Sequence, residues 1–279
     1  MSAQVEIRLD VPYGGGPDGK LCNDVYLPAG PGPHPALLCF HGGAWAHGSH
    51  RQYQEWGPWL AARGYALVAV DYRLSKNVSP SWPGVHDDIR LALRWLLEEA
   101  PGLRVDPTRL GFVGDSAGGH MAALLALEDW VRPHLRAVVG VYGIYDLIDW
   151  WEVTQKRKDD PVGKLMGRTP AEAPEDYRRF SPLQGVEAQG VPPGVPYLII
   201  HGEQDPIVHH NQSERFIAVL RAAGAEVETL FVPGAGHSWF TYLPDEPDRR
   251  RVDQEPNVTV APVLLGFLER NLASRGQNR

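Results

Sequence analysis

Short apolar runs alternate with segments of helical periodicity along almost the whole chain, and this alternation limits the fold more than any other feature. Strands buried on both faces, each followed by a helix, build a mostly parallel sheet covered on both sides. The runs predict eight strands: Val5 to Leu9, Leu21 to Leu27, Ala36 to Phe40, Ala66 to Asp71, Leu110 to Gly114, Ala137 to Tyr142, Tyr197 to His201 and Val227 to Val232. Between them, Ile89, Ala92, Leu93, Leu96 and Leu97 fall on one helix face, and Pro101 and Gly102 end it. A second helix uses Phe216, Val219, Leu220 and Ala223 and stops at Gly224; the last carries Val260, Val263, Leu264, Phe267 and Leu268, with Pro262 expected in its first turn. From Ile144 to Val195 there is no convincing strand. That stretch holds Trp150, Trp151, the charge run KRKDD and several prolines, and it reads as a cap-like insertion (144–195) within one domain spanning 1–279. Its charges suit a solvated face, and its paired tryptophans either cover a pocket or fill a small core.

Composition narrows the function classes. With 43% hydrophobic and 22% charged residues, the 279-residue chain is built like a globular protein, which excludes disorder and collagen-like repeats. A formal charge of −7 supplies no basic footprint for nucleic acid or an anionic membrane surface, so neither is expected as a partner. Cys22 and Cys39 are too few for a disulfide scaffold and lie in no zinc-binding spacing. The N-terminus shows neither a basic n-region nor an apolar run, and no stretch reaches the length of a membrane span, so a cytoplasmic enzyme is expected. The oligomeric state stays open.

The chemistry is concentrated in four short strings. Gly114, Asp115, Ser116, Ala117 and Gly118 form G-x-S-x-G directly after the strand LGFV and directly before the helical run HMAALLAL. A serine on such a sharp turn is presented at a helix N-terminus, where backbone N–H groups favour developing negative charge. His41, Gly42, Gly43, Ala44 and Trp45 follow the strand ALLCF, and the glycines free main-chain N–H groups to face a bound carbonyl. The expected oxyanion donors are the N–H groups of Gly43, Ala44 and Ala117, with His41 holding the loop. His237, in PGAGHSWF, is the expected base; Asp205, in HGEQDPIV, is its expected carboxylate partner, with Glu203 as rival. Serine, aspartate and histidine come in that order, 89 and 32 residues apart, each after a predicted strand. All three should meet at the carboxyl edge of one sheet. Asp115, Asp87 and Asp88 suit capping or salt-bridge roles, and the adjacent His209 and His210 lack the pattern of a metal site.

Together HGGAW, GDSAGG, the Asp-Pro of EQDPIV and the GHSW loop resemble the α/β-hydrolase superfamily. Within it they are most similar to hormone-sensitive-lipase-like, acetyl-esterase and feruloyl-esterase-like carboxylesterases. The resemblance spans about Leu21 to Leu272. It implies an α/β-hydrolase fold and a cofactor-free, metal-free ester hydrolase acting on small molecules, with Ser116 as nucleophile, His237 as base and Asp205 as its partner. Ala44 stands where a third glycine is usual, and long N-terminal cap helices are missing, which argues against long-chain lipids. Trp45 and Trp239, adjacent to motif residues, are expected to line an acyl or aryl pocket. HGGAW is also similar to the motif of arylformamidases. A binding protein that has lost catalysis on this fold typically lacks a triad member, and here all three are in place.

Overall fold

The computed structural model describes residues 5–16, 19–241 and 251–272. Its eight strands are β1 (Glu6–Gly16), β2 (Gly19–Leu27), β3 (His34–Phe40), β4 (Ala66–Val70), β5 (Val105–Asp115), β6 (Leu135–Val141), β7 (Tyr197–Gly202) and β8 (Val227–Val232). They form one sheet in the order β1-β2-β4-β3-β5-β6-β7-β8. The β2 strand runs antiparallel to β1 and β4, and every later pairing is parallel. The β4 strand consists of Leu, Val and Ala alone, and β4 and β7 are buried throughout, as a sheet covered on both faces requires.

Two strands run longer than their apolar patterning suggests. The β1 strand continues through Pro12 to Gly16, with register shifts between Arg8 and Val11 and between Pro12 and Gly14; as an edge strand it tolerates both the proline and the irregular pairing. The β5 strand begins at Val105, ahead of Pro107.

Helices α1 (Trp56–Ala61), α2 (Gly84–Glu99) and α3 (Ala117–Ala126) follow in the first half. The α2 helix buries Val85, Ile89, Ala92, Leu93 and Leu96, a single apolar stripe. Every residue of α3 is buried, so this helix is packed on all sides. Residues 147–189 hold four short helices: α4 (Leu147–Thr154), α5 (Pro161–Met166), α6 (Pro174–Arg179) and α7 (Pro182–Gln189). Three of them open on proline, which loses nothing by lacking an N–H at a helix start. This segment is tied down by an aromatic chain: Trp150 lies 5.6 Å from Trp45, Trp45 5.1 Å from His120, and His120 4.4 Å from Phe180. His120 Nε2 is 2.7 Å from the Phe180 carbonyl, so the ring donates there and fastens the segment to α3.

The chain closes with α8 (Asn211–Ala222) and α9 (Asn257–Leu272). Pro262 lies inside α9 and not in its first turn, because the helix starts earlier, at a buried Asn257 whose side chain bonds the carbonyls of Trp239 and Phe240. Among the described residues no helix is long and apolar enough to cross a membrane.

Candidate active site

The registers of the central strands set the site. Phe40 at the end of β3 pairs with Gly114, and Gly202 at the end of β7 pairs with Val232 at the end of β8. The loop after β3 therefore lies beside the β5-to-α3 turn, and the loops after β7 and β8 lie beside each other. Ser116 occupies the turn with φ 52° and ψ −119°, a region that costs a non-glycine residue on the order of 1–3 kcal/mol and persists only where its surroundings impose it. Those surroundings are backbone: a Cβ on Gly118 would come 1.9 Å from the Phe40 oxygen, and one on Gly114 would come 2.1 Å from the Gly118 oxygen. The Ser116 N–H is held by the Val141 carbonyl at 2.9 Å.

His237 Nε2 lies 3.0 Å from Ser116 Oγ, and its Nδ1 lies 2.6 Å from Asp205 Oδ2. Glu203 points to solvent, so of the two acids only Asp205 reaches the histidine. Asp205 Oδ1 accepts from the Ile207 and Val208 N–H groups, both at 2.9 Å. Burial pushes the Asp205 carboxyl up, but hydrogen bonds from His201, His237 and the Ile207 N–H outweigh it and hold the group well below the usual carboxylate range. The acid is thus an anion whenever the histidine needs one.

In the loop after β3, Gly43, Ala44 and Trp45 all have positive φ, at 119°, 53° and 55°. The loop closes through the Ala46 and His47 N–H groups on the Gly43 carbonyl. Among the described residues the N–H groups of Gly43 and Ala44 have no acceptor, and that of Ala117 lies in the first turn of α3, where no intrahelical partner exists. His41 braces the loop: it stacks on Tyr72 at 4.2 Å, and Tyr72 donates to its carbonyl.

Asp115 departs from its expected capping or salt-bridge role. It is buried, has no cation beside it among the described residues, and accepts from the Gly42 N–H (3.2 Å), Thr241 Oγ1 (3.1 Å) and Tyr53 Oη (3.5 Å). Burial raises its carboxyl to about 7 in spite of those bonds. It joins the serine turn to the loop after β3, a role that no local string announces.

Trp45 and Trp239 are corrected. Both are buried, at 0% and 2% exposure, and neither borders the cavity at Ser116. Trp45 packs on Trp150 and His120, and Trp239 packs on Tyr142 at 5.2 Å with its Nε1 on the Gly236 carbonyl. Adjacency to a motif does not fix the face of a loop from which a side chain leaves. The cavity measures about 280 Å³, and its walls include Trp150, Arg157, Ile207 and Gln52 beside Ser116 and His237.

Among the described residues one group has metal-ligand spacing, Asp10, Asp24 and His50, and the Arg51 side chain contacts both aspartates. It lies away from the cavity walls, and His209 and His210 belong to no such group.

A mostly parallel sheet that carries a serine on a strand-to-helix turn, with an acid and a histidine from the next strand ends against it, defines an α/β-hydrolase. The chain belongs to the BD-FAE family, whose model matches residues 23–220. It is 33% identical over 222 residues to "Esterase LipC" of Mycobacterium tuberculosis, covering 74% of this chain and 53% of that protein. It is also 33% identical over 219 residues to an "Ethyl acetate hydrolase" of Pseudomonas putida, covering 74% and 66%. The chain spans about half the length of the first of these. Among solved structures, a thermophilic esterase of Thermogutta terrifontis superposes with a TM-score of 0.74 at 25% identity, covering 99% of this chain and 95% of that one.

Proposed function

We propose that the chain is a serine carboxylic-ester hydrolase that takes short-chain or aryl esters through an acyl-enzyme. The observation that carries this reading is the unbroken path from Ser116 Oγ through His237 to Asp205, at 3.0 and 2.6 Å, beside a cavity and three backbone N–H groups that have no acceptor among the described residues. The names of its relatives, an esterase and an ethyl acetate hydrolase, support the same class.

In this reading neutral His237 takes the Ser116 proton as Oγ attacks the ester carbonyl. Charge develops on the carbonyl oxygen, and the N–H groups of Gly43, Ala44 and Ala117 donate hydrogen bonds to it. Asp205 holds the imidazole in the tautomer with Nδ1–H and stabilises the imidazolium. The imidazolium then gives its proton to the leaving alcohol. Water, deprotonated by His237, attacks the acyl carbon; as the acyl–Oγ bond breaks the imidazolium returns its proton to Ser116 Oγ, and the carboxylic acid leaves. The chain acts as one domain in which the 144–195 insertion is a cap, contributing Trp150 and Arg157 to the pocket walls.

Ser116→Ala tests the reading. Turnover of a 4-nitrophenyl ester is expected to fall by on the order of 10⁴ to 10⁶ with the fold retained. Near wild-type turnover in that variant removes the nucleophile.

A further inference from the structure

A second histidine meets Asp205, and the acyl-transfer scheme leaves it unused. His201, near the end of β7, is fully buried. Its Nε2 lies 2.9 Å from the Val208 carbonyl and 3.3 Å from Asp205 Oδ2, and its Nδ1 lies 2.7 Å from Ser213 Oγ in α8. A carbonyl and a carboxylate only accept, so Nε2 carries a proton, donated to the Val208 carbonyl with Asp205 Oδ2 as a longer second contact. In the neutral ring Nδ1 then accepts from the Ser213 hydroxyl. The imidazole is thereby fixed at both ends.

The position of this donor on the carboxylate matters more than its burial. An ionised carboxylate offers about four acceptor sites. On Asp205, Oδ1 takes the Ile207 and Val208 N–H groups, while Oδ2 takes His237 Nδ1 and His201 Nε2. Three of these are full hydrogen bonds and the His201 contact is the longest of the four, so the carboxylate cannot rotate without breaking several contacts at once. The donor from His201 also falls on the same oxygen that faces His237. Every donor on that oxygen draws off part of the charge that would otherwise hold the His237 proton. A histidine kept only to satisfy the Val208 carbonyl would have neither effect.

We infer that His201 is a positioning residue for the acyl transfer: braced by Ser213, it aims Asp205 Oδ2 at His237 and moderates how tightly that carboxylate holds the His237 proton. The inference rests on the triad reading above.

The test compares His201→Leu, His201→Gln and Ser213→Ala by kcat, KM and the pH profile of kcat/KM on one 4-nitrophenyl ester, with Ser116→Ala alongside. The leucine variant removes the donor and is expected to lose on the order of 10- to 100-fold in kcat with KM little changed, the range seen when outer-shell partners are removed from metal ligands. Its acid limb is expected to move upward by about half a pH unit, a fraction of the worth of one charge-assisted hydrogen bond. Glutamine can place an N–H near the position of Nε2, so His201→Gln is expected to recover most of the rate and a wild-type limb. Ser213→Ala leaves the strand intact and is expected to show the same upward shift in milder form, which keeps the test decisive if the leucine variant does not fold. An acid limb that stays at its wild-type pH in the leucine and serine variants overturns the inference, as does a glutamine variant as impaired as the leucine one. An inactive Ser116→Ala beside wild-type limbs removes only the role of His201, whereas an active Ser116→Ala removes the triad itself.

Discussion

Asp115 shows how far a neighbouring residue's role can depend on contacts the sequence does not display. The strings GDSAGG, HGEQD and GAGHSW are each continuous, so Ser116, Asp205 and His237 stand out by local context. Asp115 reads as an ordinary charged residue until Gly42, Tyr53 and Thr241, from three other places in the chain, close around it. His201 is similar, although a titratable residue inside the apolar strand YLIIH is a signal in itself. The environment of Asp115 has a thermodynamic consequence. The folded protein keeps this proton up to about pH 7, while an unfolded aspartate releases it near pH 4, so between those values the folded state binds more protons and loses stability as pH rises. Asp115→Asn keeps an acceptor for the Gly42 N–H and cannot ionise. Urea melts at pH 5 and pH 8 are expected to show wild type losing about 2 to 3 kcal/mol more than the variant over that interval. Parallel losses in the two proteins contradict a buried, proton-retaining Asp115.

At the level of elements, all eight strands were legible, the central ones as apolar runs between turn signals and Val5 to Leu9 as an apolar-polar alternation. The short helices of the 147–189 segment were not, since their opening prolines, Pro161, Pro174 and Pro182, resemble loop punctuation until a helix is seen to follow. This segment contributes Trp150 and Arg157 to the walls of the pocket. A cavity of about 280 Å³ equals roughly nine water volumes, and Trp150 forms part of its wall while packing on Trp45 behind. Each additional CH₂ buried contributes about 0.8 kcal/mol, roughly fourfold in kcat/KM, only while there is room. Across 4-nitrophenyl esters, kcat/KM is expected to rise from acetyl to butyryl and to be low at decanoyl, and Trp150→Leu is expected to move the maximum to longer chains. A wild-type maximum at ten carbons or more defeats this account of the pocket. N-formylkynurenine belongs in the same series, because a much higher kcat/KM on it moves the chain to the formamide-cleaving alternative.

For the whole molecule, topology assembles the site from parts far apart in sequence: Ser116 follows β5 in the middle of the sheet, Asp205 follows β7, and His237 follows β8 at the edge. Five of the six residues of β8 are partly or fully exposed, and β8 pairs with one neighbour only, so it has less holding it than any strand between β2 and β7. His237 is therefore carried by the end of an edge strand, and Ser116 by the end of a strand paired on both sides. On titration with urea, ester hydrolysis is expected to disappear at a lower concentration than the tryptophan emission change that reports the core, and coincident midpoints contradict this ordering. A chain that has begun to fray along its β8 edge is thus silenced while most of it is still folded, and refolded material counts as native only when its turnover has returned.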